Sequence, residues 1–268
     1  MSNIDTVNAL ITAINFDRFD EIEAHHAPDV LFTSFRGPVL RGSVAVADWH
    51  REFLRDYADC NYTDLEYIEE GDTVVVRATI EAKGYDWRAF TQRVVEVFRF
   101  EQGEIIERRL YGMLRDVEFD KPTNLAMENA LGFRGGSAAS TRATAKGMEQ
   151  ALAAGKMDAF RASFHEKPVL VDGVYGLAAG WDAMVALGES LPKPFFGVER
   201  VTALYAGDHT AAVELAVDPV RPRNLEWLRL VDGKVIVCEV YWMLREIGVQ
   251  PDENYARDRH QRQVILPI

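Results

Sequence analysis

The sequence is poor in cysteine: two in 268 residues, Cys60 and Cys238. Two thiols so far apart build neither a disulfide framework nor a CxxC metal site. A reducing compartment, the cytoplasm, is the expected location. No apolar run approaches the roughly 18 residues that a membrane-spanning helix needs. The opening residues, MSNIDTVNAL, lack a basic segment followed by an apolar one, so no secretory signal is read there. Positive charge is scarce as well, with 30 Lys and Arg against 42 Asp and Glu and a formal net charge of −12. That balance argues against nucleic acid or an anionic membrane as a partner. A Gly-x-Ser-x-Gly elbow, a Walker loop and a dinucleotide fingerprint are all missing. The adjacent pair His25 and His26 has no further His or Cys at metal-ligand spacing and is read, with His165, as structural. The expectation is chemistry with no metal and no organic cofactor.

What the chain does have is a large apolar fraction and a repeat. Hydrophobic residues make up 48% of it, enough to fill one large core or two of ordinary size. LYGMLRD at 110–116 returns as VYWMLRE at 240–246, 130 residues later (241 − 111). Before them stand FRFEQGEIIERR and LRLVDGKVIVCE, each a strand, a tight turn at Gly103 or Gly233, and a second strand. Further upstream, EEGDTVVVRATIEA matches YAGDHTAAVELAV. DVLFTSFRGPVLRGSVAVADW matches KPVLVDGVYGLAAGWDAMVAL, a strand leading through Gly42 or Gly180 to a helix. VNALITAINFDRFDEIEAHH matches GMEQALAAGKMDAFRASFH, both with helical apolar spacing. The first copy has the longer hairpin, around AKGYDWRAF: Gly71 to Gly103 spans 32 residues (103 − 71), Gly207 to Gly233 only 26 (233 − 207). The predicted organisation is a first domain at 1–118, a glycine-rich linker at 119–140, a second domain at 141–250 and a tail at 251–268.

The element order, and phrases such as HHAPDVLFTSFRGPVLRG, GDTVVVRATIE, VVEVFRFEQGEIIE, PVLVDGVYGLAAG and LEWLRLVDGKVIV, resemble the nuclear-transport-factor-2-like superfamily. Within it the likeness is to SnoaL-like polyketide cyclases and ketosteroid isomerases. The resemblance implies two fused cone-shaped α+β barrels, each a curved antiparallel sheet closed by helices around a pocket. It also implies that convex sheet faces pack together. Tyr111, Met113, Tyr241 and Met243 would share such a face, giving an internal pseudo-dimer and leaving homo-oligomer formation open. Shared ancestry of the copies without present constraint is the rival explanation of the repeated letters.

Family chemistry needs a carboxylate base and a neutral acid that hydrogen-bonds an oxyanion. The base position falls on Asp172, eight residues before Gly180, and on Ser34 in the first copy. Asp-Gly is also a common turn pair. The acid position falls on Glu96 and Glu226. Glu96 shares a strand face with Val94, Phe98 and Phe100, where a carboxyl must be paired or protonated; an ion pair with Arg108 is the structural alternative. The tyrosine of the isomerases falls near Leu10 and Met148, and the cyclase acid at Leu110 and Val240, none of which can serve. Val46, Trp49, His50 and Phe53 follow helical spacing, which would bring His50 to Glu96 and Arg108. The second copy offers apolar Met184, Leu187 and Leu191 there, and Cys238 where the first has Arg108.

Five residues are therefore candidates for catalysis: Asp172, Glu226, Glu96, His50 and Arg108. Trp49, Phe53, Phe98, Trp242 and Ser34 are candidates for contact with a hydrophobic, aromatic or polycyclic small molecule. The expected activity is cofactor-independent proton abstraction with anion stabilisation, of lyase, dehydratase or isomerase type. The alternatives are a non-catalytic binding or scaffolding module, and an epoxide hydrolase built on Glu96 and Arg108.

Overall fold

Ser2 opens the first helix: its hydroxyl accepts from the Asp5 amide while its own amide donates to the Asp5 carboxylate. In that helix, α1 (Asn3–Asn15), Val7, Leu10, Ile11 and Ile14 recur at helical spacing and are buried. The computed structural model describes residues 2–37, 39–83, 89–113, 136–190, 200–218 and 221–248. It divides at residue 112 into two compact units.

The first unit continues with α2 (Phe19–Ala24), β1 (His26–Ser34), β2 (Val39–Arg41), α3 (Ser43–Asp56), β3 (Ala58–Glu70), β4 (Thr73–Lys83), β5 (Ala89–Glu101) and β6 (Glu104–Gly112). Its strands run β3–β4–β5–β6–β1–β2, antiparallel throughout except for the parallel β1–β6 pair. The second unit has α4 (Ala138–Ala153), α5 (Met157–Ala162), β7 (Phe164–Asp172), β8 (Gly176–Ala179), α6 (Trp181–Ser190), β9 (Arg200–Ala206), β10 (Thr210–Asp218), β11 (Arg221–Val231) and β12 (Lys234–Trp242). A 3₁₀ turn over Leu244–Ile247 follows. Its order is β9–β10–β11–β12–β7–β8, and again the one parallel pair, β7–β12, joins the first strand to the last.

The tight turns fall where the sequence places them. Gln102–Gly103 and Asp232–Gly233 both have positive φ at two successive residues, the backbone a two-residue hairpin requires. Ser137 caps α4, which begins inside the stretch read as linker. The rest of that linker, residues 119–135, and the tail at 251–268 lie outside the described residues. One expectation is corrected. Among the described residues the outer strands, β3 and β2 in one unit and β9 and β8 in the other, do not pair with each other. The sheets are open rather than closed barrels, because the short β2 and β8 pair only with the strand before them. Tyr111, Met113, Tyr241 and Met243 are all buried.

The two units solve one packing problem in opposite ways. The Phe35 amide donates to the Leu110 carbonyl, and the Gly173 amide donates to the Val240 carbonyl, so Phe35 and Gly173 hold equivalent places. In the first unit the Phe35 ring packs on Gly112; in the second, Gly173 stands where Phe35 does and Trp242 where Gly112 does. A Cβ built on Gly112 falls 2.5 Å from Phe35 Cζ, closer than van der Waals contact allows. Phe35 is buried, and the void it borders is only about 10 Å³. Gly112→Ala should therefore cost about 1–3 kcal/mol by overpacking. Thermal denaturation of Gly112→Ala checks this, and adding Phe35→Leu should recover part of the loss.

Candidate functional site

Register builds the site. In the second unit Asp172 on β7 lies beside Val240 on β12, and Val240 lies beside Glu226 on β11. Asn224, two residues before Glu226, stands opposite Trp242. Side chains two residues apart share a sheet face, so these groups look toward one side. There they line a cavity of about 260 Å³, completed by Glu149 on α4, Leu187 on α6 and the apolar Leu170, Leu215 and Val240. Asp172 is fixed by three donors to Oδ1: the Val174 amide at 2.8 Å, the Tyr175 amide at 2.9 Å and Trp242 Nε1 at 3.0 Å. Three N–H donors favour the charged carboxylate. Asp172 thus caps the turn and lines the cavity at once.

Cys238 lies beneath this wall. Its thiol is pushed well above the ordinary thiol range, first by burial and then by the charges of Glu226, Glu149, Asp172 and Glu239. It stays protonated, with Sγ 3.9 Å from Glu226 Oε2.

The first unit has the same register with other residues. Ser34 pairs with Leu110, and Leu110 with Glu96. Arg108 fills the interior where the second unit has Cys238. Its Nε donates to Glu96 Oε2 at 2.5 Å, and its Nη1 donates to His50 Nε2 at 2.7 Å. Its guanidinium also stacks on Phe32 and Phe98, at 4.9 and 5.4 Å. Burial alone would favour loss of its proton; the charge of Glu96 and hydrogen bonds to Glu96 and Tyr62 outweigh that and raise its pKa. Tyr62 is pushed well above the usual tyrosine range, by burial first and then by Glu96. Because a guanidinium only donates, His50 Nε2 must accept, which places the ring proton on Nδ1. His50 is neutral, its pKa far below 6.5 because of burial and then Arg108. The void beside this network is about 10 Å³, room for one water at most.

The structure thus brings together Glu96, His50 and Arg108 in one unit and Asp172, Glu226 and Trp242 in the other. Trp49, Phe53 and Ser34 border the small void. Trp49 packs on Phe32, His50 and Phe53 as part of an aromatic cluster. Phe98 lies under the Arg108 guanidinium and lines neither cavity. His26, read as structural, donates from Nδ1 to the Ile22 carbonyl at 2.7 Å, and burial lowers its pKa to about 3. Among the described residues no group of three or more His, Cys, Asp or Glu is arranged to hold a metal ion. No described helix is long and apolar enough to cross a membrane.

Residues 7–108 match the family model of the SnoaL-like domain. The match covers most of the first unit. Similar solved structures include a nuclear-transport-factor-2-like protein of unknown function from Burkholderia pseudomallei, 27% identical, covering 42% of this chain and 92% of that one with a TM-score of 0.39. A putative polyketide cyclase from Pseudomonas putida is 17% identical over 41% of this chain and 91% of its own, TM-score 0.39. A putative hydroxylase from Streptomyces galilaeus is 19% identical over 41% and 77%, TM-score 0.37. No curated protein matches the sequence.

Three interior residues escaped the sequence reading. Tyr62 joins the Glu96–Arg108 network from β3. Glu149 had a signal: Ala145, Met148, Glu149 and Leu152 follow i, i+3, i+4, i+7 spacing, which puts a carboxyl on the inward stripe of α4. Asn224 is legible only once Glu226 is known to face the cavity, since the two are two residues apart.

The buried histidines give a pH prediction. Unfolded, each titrates near 6.5; folded, His26 does so at about 3 and His50 well below 6.5. Below pH 6.5 the unfolded chain binds protons that the folded one does not, so stability falls as pH falls. From pH 7 to 5 each histidine should cost the first unit about 2 kcal/mol. Urea denaturation should show a pH dependence that is smaller by that amount in His50→Gln.

Proposed function

We propose that both units are copies of one SnoaL-like fold, and that the second binds and transforms a small hydrophobic molecule without a cofactor. The observation that carries this reading is the 260 Å³ cavity walled by apolar side chains and fitted with an aligned carboxylate, Asp172. An apolar cavity of 150 Å³ holds benzene, so a substrate of one or two rings fits and a larger polycycle does not.

In this reading Asp172 is the general base. Trp242 and the two turn amides hold it through Oδ1, and we assign Oδ2 to the carbon-bound proton it removes. Removing a proton next to a carbonyl places negative charge on the carbonyl oxygen. Glu226 and Glu149 are the two other carboxyls in the cavity wall, and we assign one of them to meet it. Three acids around one apolar cavity do not all ionise without cost, and a carboxyl that keeps its proton can donate to the oxyanion. Isomerisation and elimination both begin with this step, and the fold supports either. The first unit has a structural role in this account. Glu96, His50 and Arg108 bond to one another, and the void of about 10 Å³ beside them is too small for an organic ligand, which also counts against epoxide hydrolysis there.

The experiment is proton exchange in D₂O, followed by NMR, with a panel of one- and two-ring ketones bearing acidic α-hydrogens. The protein should catalyse exchange at the α-carbon, and Asp172→Asn should slow it by roughly a hundredfold or more. Exchange that survives Asp172→Asn with the fold intact by circular dichroism would contradict the assignment, as would a panel in which nothing exchanges.

A further inference from the structure

The void of the first unit and the cavity of the second are walled by equivalent residues. Helices α3 and α6 are both entered through a glycine. The Gly42 amide donates to the Val30 carbonyl and the Gly180 amide to the Pro168 carbonyl, while the Val46 and Met184 amides donate to the Gly42 and Gly180 carbonyls. Each residue of α3 therefore matches the one 138 positions later in α6 (180 − 42). Register matches the sheets in the same way: Phe32 lies beside Arg108 and Leu170 beside Cys238, Ser34 beside Leu110 and Asp172 beside Val240. Ser34, Trp49, His50 and Leu110 border the void of about 10 Å³; their counterparts Asp172, Leu187, Gly188 and Val240 line the cavity of about 260 Å³. The two are one space, plugged in one unit and open in the other.

The plug includes a ring. The His50 imidazole, 1% exposed, stacks on Phe32 with ring centroids 6.3 Å apart. The second unit keeps the apolar floor as Leu170, but its helix presents Gly188, which has no side chain, where the first presents His50. A glycine within a helix forfeits stability that an alanine would give, and here it faces the cavity.

Resting on the reading that this cavity is the substrate site, we infer that a ring of the substrate lies where the His50 imidazole lies in the first unit, between Gly188 on α6 and Leu170 on β7, and that Gly188 decides which molecules are admitted. The substrate class is a flat aromatic ring system, unsubstituted on the edge that meets α6, since a group there would run into helix backbone. The first unit carries as its own side chain the shape that the second takes from solution.

The test is calorimetric titration of the whole protein with indole, beside Gly188→Ala and Gly188→Leu. Gly188→Leu should weaken indole binding at least about tenfold, because the added side chain occupies the place of the ring. Gly188→Ala should raise the thermal midpoint of the free protein, since alanine favours the helix and the cavity has room for a methyl group, yet weaken indole about threefold. If Gly188→Leu does not fold, the Gly188→Ala titration decides. Indole binding unchanged by either substitution overturns the inference and leaves the cavity as a ligand site whose ring lies elsewhere. A thermal midpoint lowered by Gly188→Ala also overturns it, because the space at Gly188 is then not open. Failure of the unaltered protein to bind indole overturns the inference and the proposed site together. Indole binding that is weakened at Gly188, in a protein that exchanges no ketone α-proton, upholds the inference and removes only the proposed chemistry.

Discussion

A guanidinium on the inner face of a sheet has to be paired, since an isolated buried charge costs far more than a folded domain has to spare. Arg108 meets that constraint with Glu96 on the neighbouring strand, His50 on the helix above and the faces of Phe32 and Phe98. Much else in the first unit follows. His50 is held as a neutral acceptor, Tyr62 keeps its proton, and the aromatic cluster of Trp49 and Phe53 closes over the remaining space. Among the described residues the void beside Arg108 is only about 10 Å³, because one long cationic side chain occupies the space.

The second unit drops that side chain and keeps the register. With Cys238 in the place of Arg108, a thiol stands beside Glu226 where a guanidinium stands beside its counterpart Glu96, and space opens above the sheet. The same exchange of large and small residues places Trp242 where its indole reaches Asp172. The chemistry we propose therefore depends on two linked substitutions across the repeat, Arg to Cys and Ser to Asp. Neither means much alone: an aspartate at position 34 would face a filled interior, and a cavity without Asp172 would lack the aligned base.

Much of this was legible in the sequence, for identifiable reasons. Element order and the Gly103 and Gly233 turns come from local chemistry that a single sequence carries. The Glu96–Arg108 pair was visible as two charges on apolar strand faces. Tyr62 was not, because β3 changes register on either side of it, with irregularities between Ala58 and Asn61 and between Thr63 and Glu66. A bulge reverses which side chains face inward, so strict alternation fails. Closure of the sheet was overread, since pairing between distant edges leaves no mark on local pattern. The size of each interior was also hidden, being a sum over side chains from many elements.

The central claim is that one unit is filled and the other hollow. Xenon, an uncharged probe that enters apolar cavities, tests it directly in crystals of the unaltered protein held under gas pressure. The account predicts a xenon site against Leu170, Leu215 and Val240 in the second unit and none beside Arg108. Xenon beside Arg108 and His50, or an empty second unit, would contradict it.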